Sequence, residues 1–315
     1  MKKKIRVKFL DFYPSYTPDL FMQILSRRYD AEISEDPEFL FCSVYDNKHF
    51  YYDCVKIFWT GENVSPNFNV YDYAIGFDYI EFEDRYLRSP LWQLYAGFSP
   101  DFISDEIRQM TDALKLNRKF CNFVYSNSWS QKRIEFFRML SEYKRVDSGG
   151  RFMNNVGGPC ESKLDFQKNY KFSIAFENFE SNGYTTEKMT DAIAAGTVPV
   201  YWGNPRVAEE FNPEAFVNFY DYGSLERVME RVIELDRDDN AYLKMLSQPI
   251  FKDGYFARGE ALSRLENFLY AAIDRGAGAK RLKHKMYWYN EKYSKNLWRV
   301  KRFLRSKFNF KVDYK

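Results

Sequence analysis

The segment Phe172 to Gly203, FSIAFENFESNGYTTEKMTDAIAAGTVPVYWG, restricts what this chain can fold into more than any other. Apolar and β-branched residues run from Phe172 to Phe176 and again from Val198 to Trp202, the pattern of strands buried on both faces of a parallel sheet. Between them, Asn182-Gly183 marks a turn, Thr185 is placed to cap a helix and Gly196 to end it. The connection reads as a short helical crossover.

Ligands of open α/β sheets bind outside the carboxyl ends of the strands, where helix N-termini also direct their free N–H groups. Glu177, Asn178, Tyr184, Glu187 and Lys188 are expected at that edge. Lys188 is the odd residue, because a cation in a first helical turn opposes the macrodipole at a cost of about 0.3 to 1 kcal/mol. An anionic ligand would remove the conflict; a solvated lysine that tolerates the penalty is the plain alternative.

Two further blocks precede this unit. Thr60-Gly61-Glu62-Asn63 is followed by Asp72-Tyr73-Ala74-Ile75-Gly76-Phe77-Asp78, and Phe123-Val124-Tyr125-Ser126-Asn127 by Arg133 and Val146-Asp147-Ser148-Gly149-Gly150. Together with FENFESNGYTTEK and Ala195 to Gly203, these blocks closely resemble the signature of the bacterial alpha-1,3-fucosyltransferase family, over about residues 5 to 270. The match is long and ordered, unlike a lone glycine triplet.

Length and composition are compatible with that resemblance. At 315 residues the chain exceeds the roughly 250 to 300 at which single cores stop growing, so two domains are expected. Aromatics make up 19% of the chain, and packing accounts for most of them, although sugar sites also use rings as stacking surfaces. Cys42, Cys54, Cys121 and Cys160 form no Cys-x-x-Cys pair and no zinc-like spacing with His49 or His284, which points to reduced thiols. The apolar stretch after the amino-terminal MKKK is interrupted by Lys8, Asp11 and Pro14, so it reads as a first strand rather than a signal or anchor. Animal members of the resembled family carry an amino-terminal membrane helix; its absence here suggests a cytoplasmic enzyme of bacterial type.

The expected fold is α/β, with two Rossmann-like domains facing a cleft, the B-type glycosyltransferase architecture that the resemblance implies. Residues 1–117 are read as the acceptor-side domain, with a strand at Ile5 to Leu10, a helix from Thr17-Pro18 through Tyr29, and strands at Glu38 to Val44, Val55 to Trp59 and Tyr73 to Phe77. A helix from Ser104 to Leu114 leads to residues 118–278, the donor-side domain. There a strand at Phe120 to Tyr125, a helix at Ser130 to Tyr143 and a strand at Arg145 to Asp147 precede the opening unit, with helices near Arg206 to Phe211 and Ser224 to Leu246 after it.

Residues 279–315 stand apart. From Lys280 onward, thirteen Lys or Arg face only Glu291 and Asp313, a net +11, so the chain's +3 leaves −8 for the rest. Tyr293, Leu297, Val300, Leu304 and Phe308 share one helical face, which makes this a basic amphipathic helix. An anionic membrane surface is its favoured partner, ahead of docking on the acidic body or binding nucleic acid, and places the enzyme at the inner face of the cytoplasmic membrane.

The resemblance implies GDP-fucose as donor and a sugar hydroxyl of an oligosaccharide or glycolipid as acceptor, with inversion at the fucose anomeric carbon. The family expectation is the 3-hydroxyl of N-acetylglucosamine in an N-acetyllactosamine-type glycan, as in Lewis-type antigens. Such a displacement needs a base and a stabiliser of the departing diphosphate. Glu62, after the strand Val55 to Trp59, matches the family's proposed base; without the resemblance it is only a turn carboxylate. Arg133 and Lys188 match the leaving-group cations, whereas Arg133 by itself could be an exposed helix residue beside Lys132. Asn178, Tyr184 and Glu187 match donor-site positions, Glu177 could bind donor or orient the turn, and Ser126 and Asn127 end another strand at the same edge. No cofactor is required on this reading, and no divalent metal is essential: Asp236, Asp238 and Asp239 fit a solvated turn better than a ligand set. The alternatives are another linkage, such as alpha-1,4, and a noncatalytic sugar-binding protein of the same fold.

Overall fold

The computed structural model describes residues 1–94, 107, 109–252 and 258–278, the side chains of 258 and 259 excepted. Eleven strands in these residues form two sheets, and every pairing between them is parallel. The basic tail, residues 95–103, and positions 104–106 and 108 of the expected helix from Ser104 lie outside the described residues. The described part of that expected helix is not continuous: Met110 and Thr111 are not helical, and Thr111 caps a separate helix, Asp112–Leu116.

The contact pattern divides the chain into two units. Among the described residues, the first comprises 1–76, 80–88 and 263–278, and holds a sheet in the order β2-β1-β3-β4-β5-β6. Its strands are β1 (Lys3–Leu10), β2 (Tyr29–Ile33), β3 (Phe39–Cys42), β4 (Val55–Trp59), β5 (Tyr73–Gly76) and β6 (Tyr86–Arg88). Alternation sorts their side chains: Leu40, Cys42, Phe58 and Ala74 enter one cluster with Phe50, Val70 and Tyr71. Phe41 points the other way, stacked on Phe9 at 4.9 Å and 5.1 Å from Phe21 of the helix Asp19–Arg28. The helix Arg258–Asp274 buries Leu265, Leu269 and Ile273, and its Tyr270 hydroxyl donates to the Ile24 carbonyl at 2.9 Å. Tyr29 Oη donates in turn to Asp274 at 2.7 Å. These contacts place residues 263–278 with the first unit, whereas the sequence assigns them to the domain of residues 118–278, and 89–117 to the first domain.

The second unit comprises residues 77–79 and 89–262, with a sheet in the order β11-β10-β9-β7-β8. The strands are β7 (Lys119–Phe123), β8 (Val146–Ser148), β9 (Tyr170–Phe176), β10 (Val198–Trp202) and β11 (Val217–Asn218). All seven residues of β9 and all five of β10 are buried. Phe172, Ile174, Phe176, Val198, Val200 and Trp202 pack on one face with Phe136, Leu140, Val228, Val232 and Tyr242. Ala175 and Tyr201 pack on the other with Met189 and Ile193, together with Trp92, whose indole donates to buried Glu210 at 3.0 Å. Pro199 is tolerated in β10 because β11 pairs only with Val200 and Tyr201, so no partner in β11 lies opposite it.

Several boundaries differ from the sequence reading. The first helix ends at Arg28 and the chain passes directly into β2, an edge strand whose exposed residues hide its pattern. The segment near Arg206 is a single 3-10 turn, Val207–Glu209. The long helix from Ser224 is two, Leu225–Arg237 and Asp239–Leu246, broken where Asp238 turns extended and caps the second. Asp236 is not in a solvated turn: its side chain is 4% exposed and accepts from Lys144 at 3.0 Å and Lys171 at 3.5 Å.

After β8 the chain folds back so closely that a Cβ on Gly150 would sit 2.0 Å from the Tyr125 carbonyl oxygen and 2.4 Å from its nitrogen. Both are backbone atoms, and neither can swing aside. Gly150→Ala is expected to lower stability by about 2 to 3 kcal/mol, seen as a fall in the urea midpoint at constant slope; an unchanged midpoint would show that the loop yields freely.

Candidate active site

Parallel strands bring their carboxyl ends to one edge of the second unit's sheet, and the residues singled out there do assemble. The loops after β7, β9 and β10 and the start of the helix Glu187–Ala194 contribute Asn127, Glu177, Asn178, Gly203 and Lys188.

Glu177 is the joint. Its side chain is fully buried, and it accepts from the Thr186 backbone N–H at 2.7 Å, from Thr186 Oγ1 at 2.8 Å and from Lys188 Nζ at 3.0 Å. Thr186, not Thr185, caps the helix, with Oγ1 accepting from the Lys188 N–H at 3.5 Å. Thr185 is diverted because its hydroxyl lies 3.0 Å from Asn204 Nδ2 and 3.4 Å from Tyr201 Oη. Gly203, at φ 150°, passes so near that a Cβ there would meet Glu177 Cβ and Cγ at 2.4 Å. Glu177 therefore orients the turn, one of the two roles open to it from sequence.

Lys188 is neither solvated nor in conflict with its helix. Its side chain is 12% exposed and lies between Glu177 and Glu187, the latter at 3.5 Å. Burial alone would lower its pKa, but the two carboxylates outweigh burial and raise it. The helix-dipole penalty is already offset within the protein, without a ligand.

Arg133 is fully buried, contrary to its reading as an exposed helix residue. Ser130 caps its helix, Gln131–Tyr143, and the guanidinium stacks on Tyr125 with its centre 3.8 Å from the ring centroid. Nη2 donates to Asn127 Oδ1 at 2.8 Å and Asn127 O at 3.2 Å, and Nη1 to Asn178 Oδ1 at 3.0 Å and Phe176 O at 3.5 Å. Four of its five N–H bonds thus tie the loops after β7 and β9 together. Nε is buried and has no acceptor among the described residues. Burial lowers the pKa of this group.

The remaining positions divide. Tyr184 is buried with its ring against Phe77 at 5.2 Å, while Ser126 is exposed beside half-buried Asn127. Glu62 belongs to the first unit, where its backbone N–H donates to Thr60 Oγ1 at 3.0 Å and its carboxylate accepts from the Tyr45 hydroxyl. Phe12 and Tyr16, stacked at 4.2 Å, and Trp59 gather at the same carboxyl edge of that sheet. Sequence reasoning missed Thr186, although the Thr-Thr pair signals a cap, and missed Lys163, which has no local signal and reaches Asp191 at 2.7 Å. Among the described residues, no group of three His, Cys, Asp or Glu side chains is close enough to hold a metal ion, and no helix is long and apolar enough to cross a membrane. A cavity of about 610 Å³ lined by Arg118, Ile193, Thr197, Leu246 and Ile250 lies at the opposite edge of the second sheet, away from these residues.

Known proteins share both the sequence motifs and the fold of this chain. Residues 7–95 match the model of the alpha-(1,3)-fucosyltransferase FucT N-terminal domain, and residues 114–247 that of the glycosyltransferase family 10 (fucosyltransferase) carboxyl-terminal region. The alpha-(1,3)-fucosyltransferase FucT of Helicobacter pylori is 36% identical over 261 residues, 71% of this chain. The chain spans about half the length of that relative, 54%. Alpha-(1,3)-fucosyltransferase 7 of Bos taurus is 40% identical over 117 residues, 35% of this chain and 33% of that one. A crystal structure of an alpha1,3-fucosyltransferase with GDP-fucose superposes with a TM-score of 0.71 at 28% identity, over 90% of this chain and 93% of that one. The two-sheet α/β architecture is that of this structure.

The charge cluster makes stability depend on pH. Burial alone would raise the Glu187 pKa, but Lys188 and Lys163 outweigh it and hold the group at about 2, below its ordinary 4.5. A depressed carboxylate stabilises the fold fully above about pH 4.5, and that contribution is lost as pH falls toward 2. Glu177, raised by burial, acts in the opposite direction. Glu187→Gln should therefore shrink the difference in unfolding free energy between pH 7 and pH 3 by about 1 to 2 kcal/mol, allowing for solvent screening, as measured by urea titration at both values.

Proposed function

Since this chain belongs to glycosyltransferase family 10, the fucosyltransferases, we propose that it transfers L-fucose from GDP-fucose to a sugar hydroxyl, inverting the anomeric carbon. The observation that carries this reading is the lock of Glu177, Thr186 and Lys188 at a helix N-terminus on the carboxyl edge of the second sheet. That lock supplies what a departing diphosphate needs most: an ammonium fixed at the positive end of a helix, positioned before the ligand arrives. Asn127, Asn178, Tyr184 and Glu187 complete the donor side, with Glu187 accepting hydroxyl protons of ribose or fucose. Ser126, exposed after β7, is a further nucleotide contact on this reading.

In the reaction, the Glu62 carboxylate takes the proton of the acceptor hydroxyl as its oxygen attacks the fucose anomeric carbon. The bond from that carbon to the β-phosphate oxygen breaks, and GDP leaves with the electron pair. Lys188 meets the new charge directly. Arg133 adds its charge from beneath and holds Asn127 and Asn178 in place, since four of its N–H groups are committed to the protein. Neutralisation by these cations leaves no step that needs a divalent metal. Tyr45, which donates to Glu62, together with Phe12, Tyr16 and Trp59, provides an aromatic surface suited to an acceptor sugar. The 3-hydroxyl of N-acetylglucosamine in an N-acetyllactosamine-type glycan is the acceptor we favour.

Incubation of the purified protein with GDP-fucose and a panel of disaccharides should release GDP and form an alpha-1,3 linkage, at the same rate with a chelator present. Glu62→Gln should bind GDP as before and lose transfer by at least about 10²-fold. Retained transfer in that variant would remove Glu62 as the base.

A further inference from the structure

Six charged side chains gather at the amino end of the helix Glu187–Ala194: Arg133, Lys163 and Lys188 against Glu177, Glu187 and Asp191. Their formal charges cancel. Lys188 is shared by Glu177 at 3.0 Å and Glu187 at 3.5 Å, so its charge is already partly spent. Asp191 follows Glu187 by four residues, which puts a second carboxylate on the same helical face one turn behind it. Lys163, the first residue of the helix Lys163–Gln167, meets Asp191 at 2.7 Å. The two side chains are 31% and 20% exposed, which screens the pair less than one free on the surface. Lys163 also acts electrostatically on Glu187 and Lys188. Neither Lys163 nor Asp191 has a part in the chemistry proposed above.

We propose that Lys163 is a positioning residue that sets the charge of the donor pocket: paired with Asp191, it cancels the carboxylate behind Glu187, so that a diphosphate enters a neutral rather than a negative surround. This rests on the donor reading. Without Lys163 the cluster carries a net charge of −1; without the Asp191 charge it carries +1. An anionic ligand must sense the two changes with opposite signs, whereas damage to folding would weaken binding in both.

The test is isothermal titration of the full chain with GDP and, as a control lacking the diphosphate, guanosine. The original protein is compared with Lys163→Ala, Lys163→Arg, Asp191→Asn and the Lys163→Ala/Asp191→Asn double variant. GDP affinity should fall about fivefold in Lys163→Ala, return in Lys163→Arg and in the double variant, and rise in Asp191→Asn. Guanosine affinity should stay constant throughout, and the GDP effects should shrink at high salt. Equal losses for GDP and guanosine, or a double variant no better than Lys163→Ala, would overturn the proposal while leaving the donor reading intact. If the original protein fails to bind GDP, the donor reading falls and takes this inference with it.

Discussion

A fully buried carboxylate at the end of β9 is the constraint on which the carboxyl edge of the second sheet depends. Glu177 can be ionised there only because Thr186 gives it two hydrogen bonds and Lys188 an ammonium. Removing one partner of a buried pair leaves the other charge uncompensated, at a cost of about 3 to 5 kcal/mol. Thr186 caps the helix Glu187–Ala194 and Lys188 lies in its first turn, so strand end, cap and cation are fixed by one set of bonds. Close passage of Gly203 over the Glu177 stem adds β10 to the same joint.

Arg133 does for the loops what Glu177 does for the helix. Its guanidinium binds Asn127 after β7 and Asn178 after β9 while stacked on Tyr125, whose hydroxyl itself donates to the Ile174 carbonyl at 2.7 Å. Arginine suits this task, because its planar fork can hold several acceptors in fixed directions and stays charged when buried. Lysine at that position would supply charge without the bridge. The two cations are therefore not equivalent: one bridges the loops of the edge, and the other is held by two carboxylates at the helix terminus.

Much of this was legible in the sequence. Largely apolar runs located β3, β4, β5, β7, β9 and β10, because strands covered on both faces are apolar nearly throughout. β1 was found from Ile5, Val7, Phe9 and Leu10, between which Arg6 and Lys8 intervene. The short strands β2, β6 and β11 escaped: three of five β2 residues are exposed, β6 has three residues and β11 only two, so neither a run nor an alternation could form. The TTEK string announced a helix start, but its register was wrong by one. Two threonines in succession are equal candidates for a cap until Asn204 and Tyr201 claim the first of them.

By itself, then, the sequence determined the parallel α/β architecture, the sheet edge at which the singled-out residues gather and the motifs of the family. Those are properties of local pattern, written in consecutive residues. Only the tertiary structure decided that Lys188 is paired, that Arg133 is a buried bridge, that the Asp236 side chain is covered and ion-paired, and that Lys163 reaches Asp191 across 28 positions. Each is a contact between segments distant in sequence, and the charge a side chain meets on burial depends on which neighbour the fold delivers.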